Sequence, residues 1–472
     1  MRQAVDSTEL AYAGLHRQAE LIRAGEISSR ELTELALARI ERLNPFLQAF
    51  TSVDSDRALA QAAACDAASA RAEHAPLLGV PIAIKDEIDV EGFVTTFGGA
   101  SQLSAARTDG EAARRLRAAG AVIVGKTAMS EFGQFPFTES AAWGYTRNPW
   151  DPTRTPGGSS GGTASAVAAG LVAAGLGTDS GGSVRIPAAC CGAFGLKCQR
   201  GRVSTAPAPA IWEALGVIGP ISRRVVDAAL FGDAMRGNVA SDRYKAQEPR
   251  MTFTEAAHTP PKRLRIAVSR RPAVRGVRLV AEQAEALDAT AALLRDLGHD
   301  VREVEPDYPD VTPAFLPQFY GGVRAEASGV ELPRLMERRT KQTIAIGRLF
   351  SPAVLRRAAA YGARLSARVN RIFEGHDLVL TPMMATRPRR VGALDGRGTV
   401  IAGLRALPYI AYAAVWNVCG NPAAAIPAGL DRDGLPLSVQ LVAPPNDEPA
   451  ILQVAAQVED ARPWADRRPP MS

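Results

Sequence analysis

The chain has 472 residues, 46% apolar and 22% charged, a balance that supplies a full core and excludes a disordered or fibrous protein. Its net charge of +6 comes from scattered basic residues, so no nucleic-acid tract and no membrane-surface stretch is indicated. The five cysteines (Cys65, Cys190, Cys191, Cys198 and Cys419) show no CxxC pair and no repeating spacing, which argues against a disulfide framework and against a zinc site.

Two helical patterns fill residues 7–43, the second opening on the hydroxyl caps Ser28 and Ser29 and placing Leu35, Ala36, Arg39 and Ile40 at helical spacing. Residues 53–73 read as an alanine-rich helix. The run from Leu77 to Asp86 reads as a buried strand that ends in charge. A helix over 110–119 and a strand over Ala121–Val124 follow in the rhythm of a largely parallel sheet. Trp143 to Gly162 is loop, and a helix is predicted from Thr163 to Ala174. The most apolar run, Ala164–Gly177, is too short and too glycine-broken to span a membrane, and no apolar leader follows the N-terminus. A soluble, cytoplasmic protein is therefore expected. Residues 241–262 are expected to cross the surface. Beyond them come a strand at Leu264–Val268, an amphipathic helix at 279–297, a strand at 301–305, a helical stretch over 310–375, and short strands with turns over 415–443.

Two pattern matches mislead. Gly120 to Thr127 fits the phosphate-loop string GxxxxGK[ST], but its four intervening residues are Ala, Val, Ile and Val, strand formers where an open turn is needed. Gly157 to Gly161 fits the GxSxG nucleophile elbow, yet the residues before it, Asp151 to Pro156, cannot form the central strand that an elbow requires. The histidines at 16, 74, 258, 299 and 376 lie in helical or turn contexts, so no Ser-His-Asp triad is expected.

A different base stands out. Lysine occurs only at positions 85, 126, 197, 245, 262 and 341, and arginine supplies every other cation. Arginine cannot lose its proton in a protein, whereas a desolvated lysine can. Lys85 closes the apolar run of Val80, Ile82 and Ile84, material that disfavours a charged amine and suits a lysine general base. The serine it would serve is Ser183. Gly181 and Gly182 just before it allow successive backbone N–H groups to converge, as an oxyanion hole requires.

The ordered motifs GVPIAIKD, PGGSSGG and GTDSGGSVRIPAACCGAFGLK, with Arg200-Gly201-Arg202-Val203-Ser204, resemble the amidase signature family. The resemblance extends through GKTAMSEFG and WGYTRNPW to WNVCGNPAAAIPAGLDRDGLPLSVQLV, roughly residues 76–443. It implies an α/β fold, a central twisted mixed β-sheet surrounded by α-helices, as a single domain over 1–472. That domain would comprise N-terminal helices at about 7–73, a signature core at about 76–240 and a C-terminal half at about 263–472. It also implies that Ser183 forms the acyl-enzyme, that Lys85 is the base and that Ser159 relays the proton, following a cis bond from Gly158. By the same resemblance the backbone N–H groups of Ser180, Gly181, Gly182 and Ser183 form the oxyanion hole. Gly133 and Gln134 line the substrate site, Ser160 gives secondary hydrogen bonds, and Asp179 and Arg185 brace the loop. The chain departs from the family at Ser180, where Ile or Thr is usual, at Cys198-Gln199, where Pro-Thr is usual, and at Ala128, where Asn is frequent.

The implied activity is hydrolysis of a carboxylic amide, small aliphatic or aryl, with esters and urethane-type carbamates as further candidates. No metal and no organic cofactor are implied, and the expected partner is a small-molecule substrate, for a monomer or homodimer. Trp212, Phe315, Phe319 and Tyr320 either roof an acyl pocket or fill the core. The alternatives are the A subunit of a tRNA-dependent amidotransferase and a non-catalytic binding protein of the same fold. Ile186 stands where that subunit commonly carries glutamine.

Overall fold

The structure, a computed structural model, describes residues 7–70 and 75–472. Among them one sheet of eleven strands forms the frame. In chain order these are β1 (Phe50–Val53), β2 (Pro81–Lys85), β3 (Val122–Thr127), β4 (Ala174–Asp179), β5 (Phe194–Lys197) and β6 (Val217–Ser222). The second half adds β7 (Arg265–Val268), β8 (Asp300–Glu303), β9 (Leu378–Pro382), β10 (Ala423–Leu430) and β11 (Pro436–Val442). Their order across the sheet is β1-β3-β2-β4-β6-β5-β10-β11-β9-β7-β8. β2 runs parallel to both β3 and β4, whereas β6, β5, β10, β11 and β9 pair antiparallel in succession, so the sheet is mixed. Helices cover both faces, and β2, β3, β4, β5, β6, β9 and β11 are buried along their whole length. That burial explains their near-continuous apolar runs, which lack the alternation of a half-exposed strand.

Several elements differ in extent from expectation. The strand expected over 77–86 is Pro81–Lys85, because Leu77–Val80 is taken up by a turn around Gly79 at φ 79°. The helix expected over 163–174 is Gly161–Ala168, stopped by Gly170 at φ 66°, and Ala174 already begins β4. The surface crossing at 241–262 holds a helix, Phe253–His258, closed by a Thr252–Glu255 capping box. The stretch read as strands from 415 opens instead as the helix Ala414–Cys419. The alanine-rich helix runs over Ser55–Ala70, and residues 71–73 of its expected span lie outside the described residues, as does His74. Gly125, Lys126 and Thr127 of the phosphate-loop string lie inside β3, where a Cβ on Gly125 would stand 2.3 Å from the Ser52 carbonyl oxygen.

Candidate active site

Three consecutive connections bring the candidate residues together. Lys85 is the last residue of β2, which lies between its parallel neighbours β3 and β4. Ser159 and Ser160 enter the helix Gly161–Ala168, whose glycines permit close packing: a Cβ on Gly162 would lie 2.4 Å from backbone atoms of Ala49 and Ala128. Ser183 follows β4, the neighbour of β2, on a turn in which Gly182 takes φ 123°. Only glycine adopts that conformation without strain.

Lys85 is fully buried, and its Nζ donates to Ser159 Oγ at 2.8 Å and to Thr178 Oγ1 at 2.5 Å. The Glu87 carboxylate lies 2.9 Å from the same nitrogen, on a side chain only 6% exposed, and accepts from the Thr178 hydroxyl. The apolar setting read from the sequence is therefore joined by a carboxylate and two hydroxyls. Glu87 and Thr178 were missed. No periodicity marks Glu87, because the strand ends at Lys85 and Glu87 lies on the turn that follows, its N–H donating to the Lys85 carbonyl.

Ser159 is buried and follows a cis bond from Gly158. Gly133 approaches it closely, for a Cβ there would lie 3.2 Å from Ser159 Oγ. Ser183 is partly exposed and lines a cavity of about 400 Å³. Among the described residues no hydrogen bond joins Ser159 to Ser183, so one of the two relay links is formed. Ser160 serves the backbone: its N–H donates to the Ser183 carbonyl at 3.2 Å and its hydroxyl to the Thr178 carbonyl at 3.3 Å.

The four N–H groups of the expected oxyanion hole divide. Gly182 donates to Asp179 Oδ1 at 2.7 Å and is committed to holding the turn. Those of Ser180, Gly181 and Ser183 have no partner among the described residues, and of these Gly181 and Ser183 line the cavity. The carboxylate of Asp179 also accepts from the N–H groups of Val184 and Arg185 and is clamped by the Arg185 guanidinium at 2.9 Å, both side chains fully buried. Burial alone would raise Asp179, but Arg185 overrides it and holds the carboxyl well below the usual range. Arg185 reaches on to Asn417 and Gln440, tying the turn to the C-terminal half.

Gly133 and Gln134 line the cavity, although the Gln134 amide is engaged by Thr340 and Thr343. Trp212, Phe315, Phe319 and Tyr320 line it too, with Phe315 and Phe319 stacked and Trp212 edge-on to Phe319. Leu316, Val400, Leu404, Leu407 and Ile410 complete an apolar wall that contains no charged side chain. A wider recess of about 720 Å³, at Thr51, Asp54, Asp56, Leu103 and Trp143, includes none of Lys85, Ser159 and Ser183. Among the described residues no cluster of His, Cys, Asp and Glu could hold a metal ion.

A family model described as Amidase matches residues 31–452. AmiB2 of Mycobacterium tuberculosis, named an amidase, is 48% identical over 470 residues, covering 99% of this chain and all of that protein. Among solved structures, a 6-aminohexanoate cyclic dimer hydrolase superposes with a TM-score of 0.91 at 31% identity, covering 99% of both chains. A bacterial aryl acylamidase of the amidase signature family superposes with a TM-score of 0.85 at 25% identity, over 98% of this chain and 97% of that one.

Proposed function

This chain belongs to the amidase signature family of hydrolases, and on that premise we propose that it cleaves a carboxylic amide whose acyl part is apolar and uncharged. One observation carries the reading: Ser183 lines an apolar cavity without charged groups, while Lys85 is hydrogen-bonded at 2.8 Å to Ser159 behind it. A 400 Å³ space accommodates an aryl or medium-length aliphatic acyl group. The similarity to an aryl acylamidase and to a 6-aminohexanoate cyclic dimer hydrolase supports that range.

In the proposed reaction Ser183 Oγ attacks the amide carbon and its proton passes through Ser159 toward Lys85. Binding of the acyl group draws Ser183 onto Ser159 and closes the second link, since catalytic hydrogen bonds commonly tighten only in the substrate complex. The developing oxyanion is met by the free N–H groups of Ser180, Gly181 and Ser183. Such donors each contribute about 10²–10³ in rate. Collapse returns the proton to the departing amine, and water then releases the acyl group. The same chemistry extends to esters and carbamates. No metal or organic cofactor takes part in this scheme. The protein acts in the cytoplasm, and its five free cysteines are in keeping with a reducing compartment.

The experiment is a panel of amides, esters and carbamates graded in acyl size, with fluorophosphonate labelling read by mass. Labelling at Ser183, lost in Ser183→Ala, and a preference for apolar acyl groups are expected. Glutamine hydrolysis dependent on partner subunits would overturn the reading in favour of an amidotransferase subunit. Against that outcome stands the cavity itself, which offers no counter-charge to the ammonium and carboxylate of glutamine.

A further inference from the structure

The nitrogen of Lys85 has three partners: Ser159 Oγ, Thr178 Oγ1 and Glu87 Oε2. An ammonium has three N–H donors and no acceptor, so this environment satisfies the charged form in full. A fully donating ammonium has no lone pair with which to receive a serine proton. For Lys85 to act as a base it must first release a proton, and the carboxylate in contact is Glu87. Thr178 holds that carboxylate in place, its hydroxyl donating to Glu87 Oε2 while it accepts from Lys85.

A second carboxyl stands beside this group. Glu326, on the helix Thr312–Ala327, has its Oε2 fully enclosed, with the buried indole nitrogen of Trp212 as its neighbour. The charged groups that act on Glu326 are Glu87 and Lys85. Burial, reinforced by the Glu87 charge, pushes Glu326 well above the usual carboxylate range.

Resting on the Ser183–Ser159–Lys85 reading above, we infer that Glu87 is the terminal proton acceptor of the relay. As Ser183 Oγ bonds to the amide carbon, its O–H breaks and the proton goes to Ser159 Oγ. The Ser159 proton goes to Lys85 Nζ, and one Lys85 proton goes to Glu87 Oε2. When the C–N bond breaks, its electron pair stays on nitrogen, and the proton returns along the same path to the leaving amine. Glu87 is a positioning residue that acts through Lys85.

The test uses the full chain and a fluorophosphonate, whose reaction with Ser183 needs no knowledge of the substrate. Glu87→Gln preserves the shape of the side chain but cannot take a proton. Its labelling rate and kcat at pH 7 are expected to fall about 100-fold with KM within about threefold. Both rates are then regained about tenfold per pH unit up to pH 9, as solvent hydroxide takes over removal of the Lys85 proton. Thermal melting confirms that the variant is folded. If Glu87→Gln labels within threefold of the parent with an unchanged pH profile while Lys85→Ala is inert, Glu87 is not the acceptor and the Lys85 reading survives. If Lys85→Ala labels normally, the base itself is wrong. Glu87→Asp, which keeps a carboxylate but withdraws it from Lys85, decides the matter should Glu87→Gln fail to fold: its labelling rate at pH 7 is expected to fall about tenfold, and a rate equal to the parent's overturns the inference.

Discussion

Two lysines lie on adjacent strands of the sheet, both fully buried and both beside a carboxylate, yet they do different things. Lys85 of β2 stands 2.9 Å from Glu87, and Lys126 of β3 stands 3.1 Å from Asp86. The remaining partner of Lys126 is the Thr95 hydroxyl at 3.1 Å, and neither residue reaches the cavity. Asp86 in turn accepts from Thr51 and Thr96, so that pair closes on itself. Lys85 instead contacts Ser159, which leads toward a serine on the cavity wall. Burial and an opposite charge are common to both, so neither makes a base. What distinguishes Lys85 is a hydroxyl that continues outward.

The largest effects should separate the two lysines by kind. Lys85→Ala is expected to lower kcat per folded molecule by about 10³-fold or more, and also to lose stability because Glu87 is left buried without its partner. Lys126→Met should lose stability alone, costing about 3–5 kcal/mol in denaturant unfolding by leaving Asp86 buried without its partner, while activity per folded molecule stays close to normal. Equal losses of rate in both variants would erase the distinction. Next in size is the cavity wall. Phe315 lies against the Gly181-Gly182 turn, its ring 3.2 Å from where a Cβ on Gly181 would sit. Phe315→Ala should therefore lower kcat/KM for large acyl groups about 10–200-fold while sparing short ones, as a graded acyl series would reveal.

The smallest effect concerns Glu131, which tethers the Gly133–Gln134 segment by accepting from Thr340 and from the Glu337 N–H. Burial pushes its carboxyl up from 4.5 to about 7. The folded state then keeps a proton that the unfolded chain releases, so between about pH 4.5 and 7 stability falls as pH rises. A shift of this size corresponds to roughly 3 kcal/mol. Glu131→Gln should flatten that part of the stability–pH curve, as melting at pH 5 and pH 7.5 would show. The neighbouring Glu139, also raised to about 7 by burial, should keep part of the slope.

The elements that carry the site were legible in unequal measure. The β2 run and the glycine-rich turn at Gly181-Gly182 were readable because buried strands and left-handed turns each restrict residue type. The aromatic residues Trp212, Phe315, Phe319 and Tyr320 were recognisable as apolar, but whether they faced a cavity or the core was not written in their spacing. They do both, packing on one another while lining the space beside Ser183. The glycines likewise marked where N–H groups could converge but not which would be spent. Asp179 takes the one from Gly182 and leaves three.

Sequence alone determined the chemistry available here: a lysine where arginine is the rule, serines among glycines, motifs in a fixed order, and apolar runs of strand length. Those are local properties, set by residue type and by the conformations each residue tolerates. Tertiary structure decided which groups meet. Glu326 lies far along the chain from Lys85, and the ordering of β2 beside β4 brings Thr178 and Ser183 to the end of the strand that carries Lys85. Such contacts depend on strand order and burial, which arise only when distant segments exclude water together.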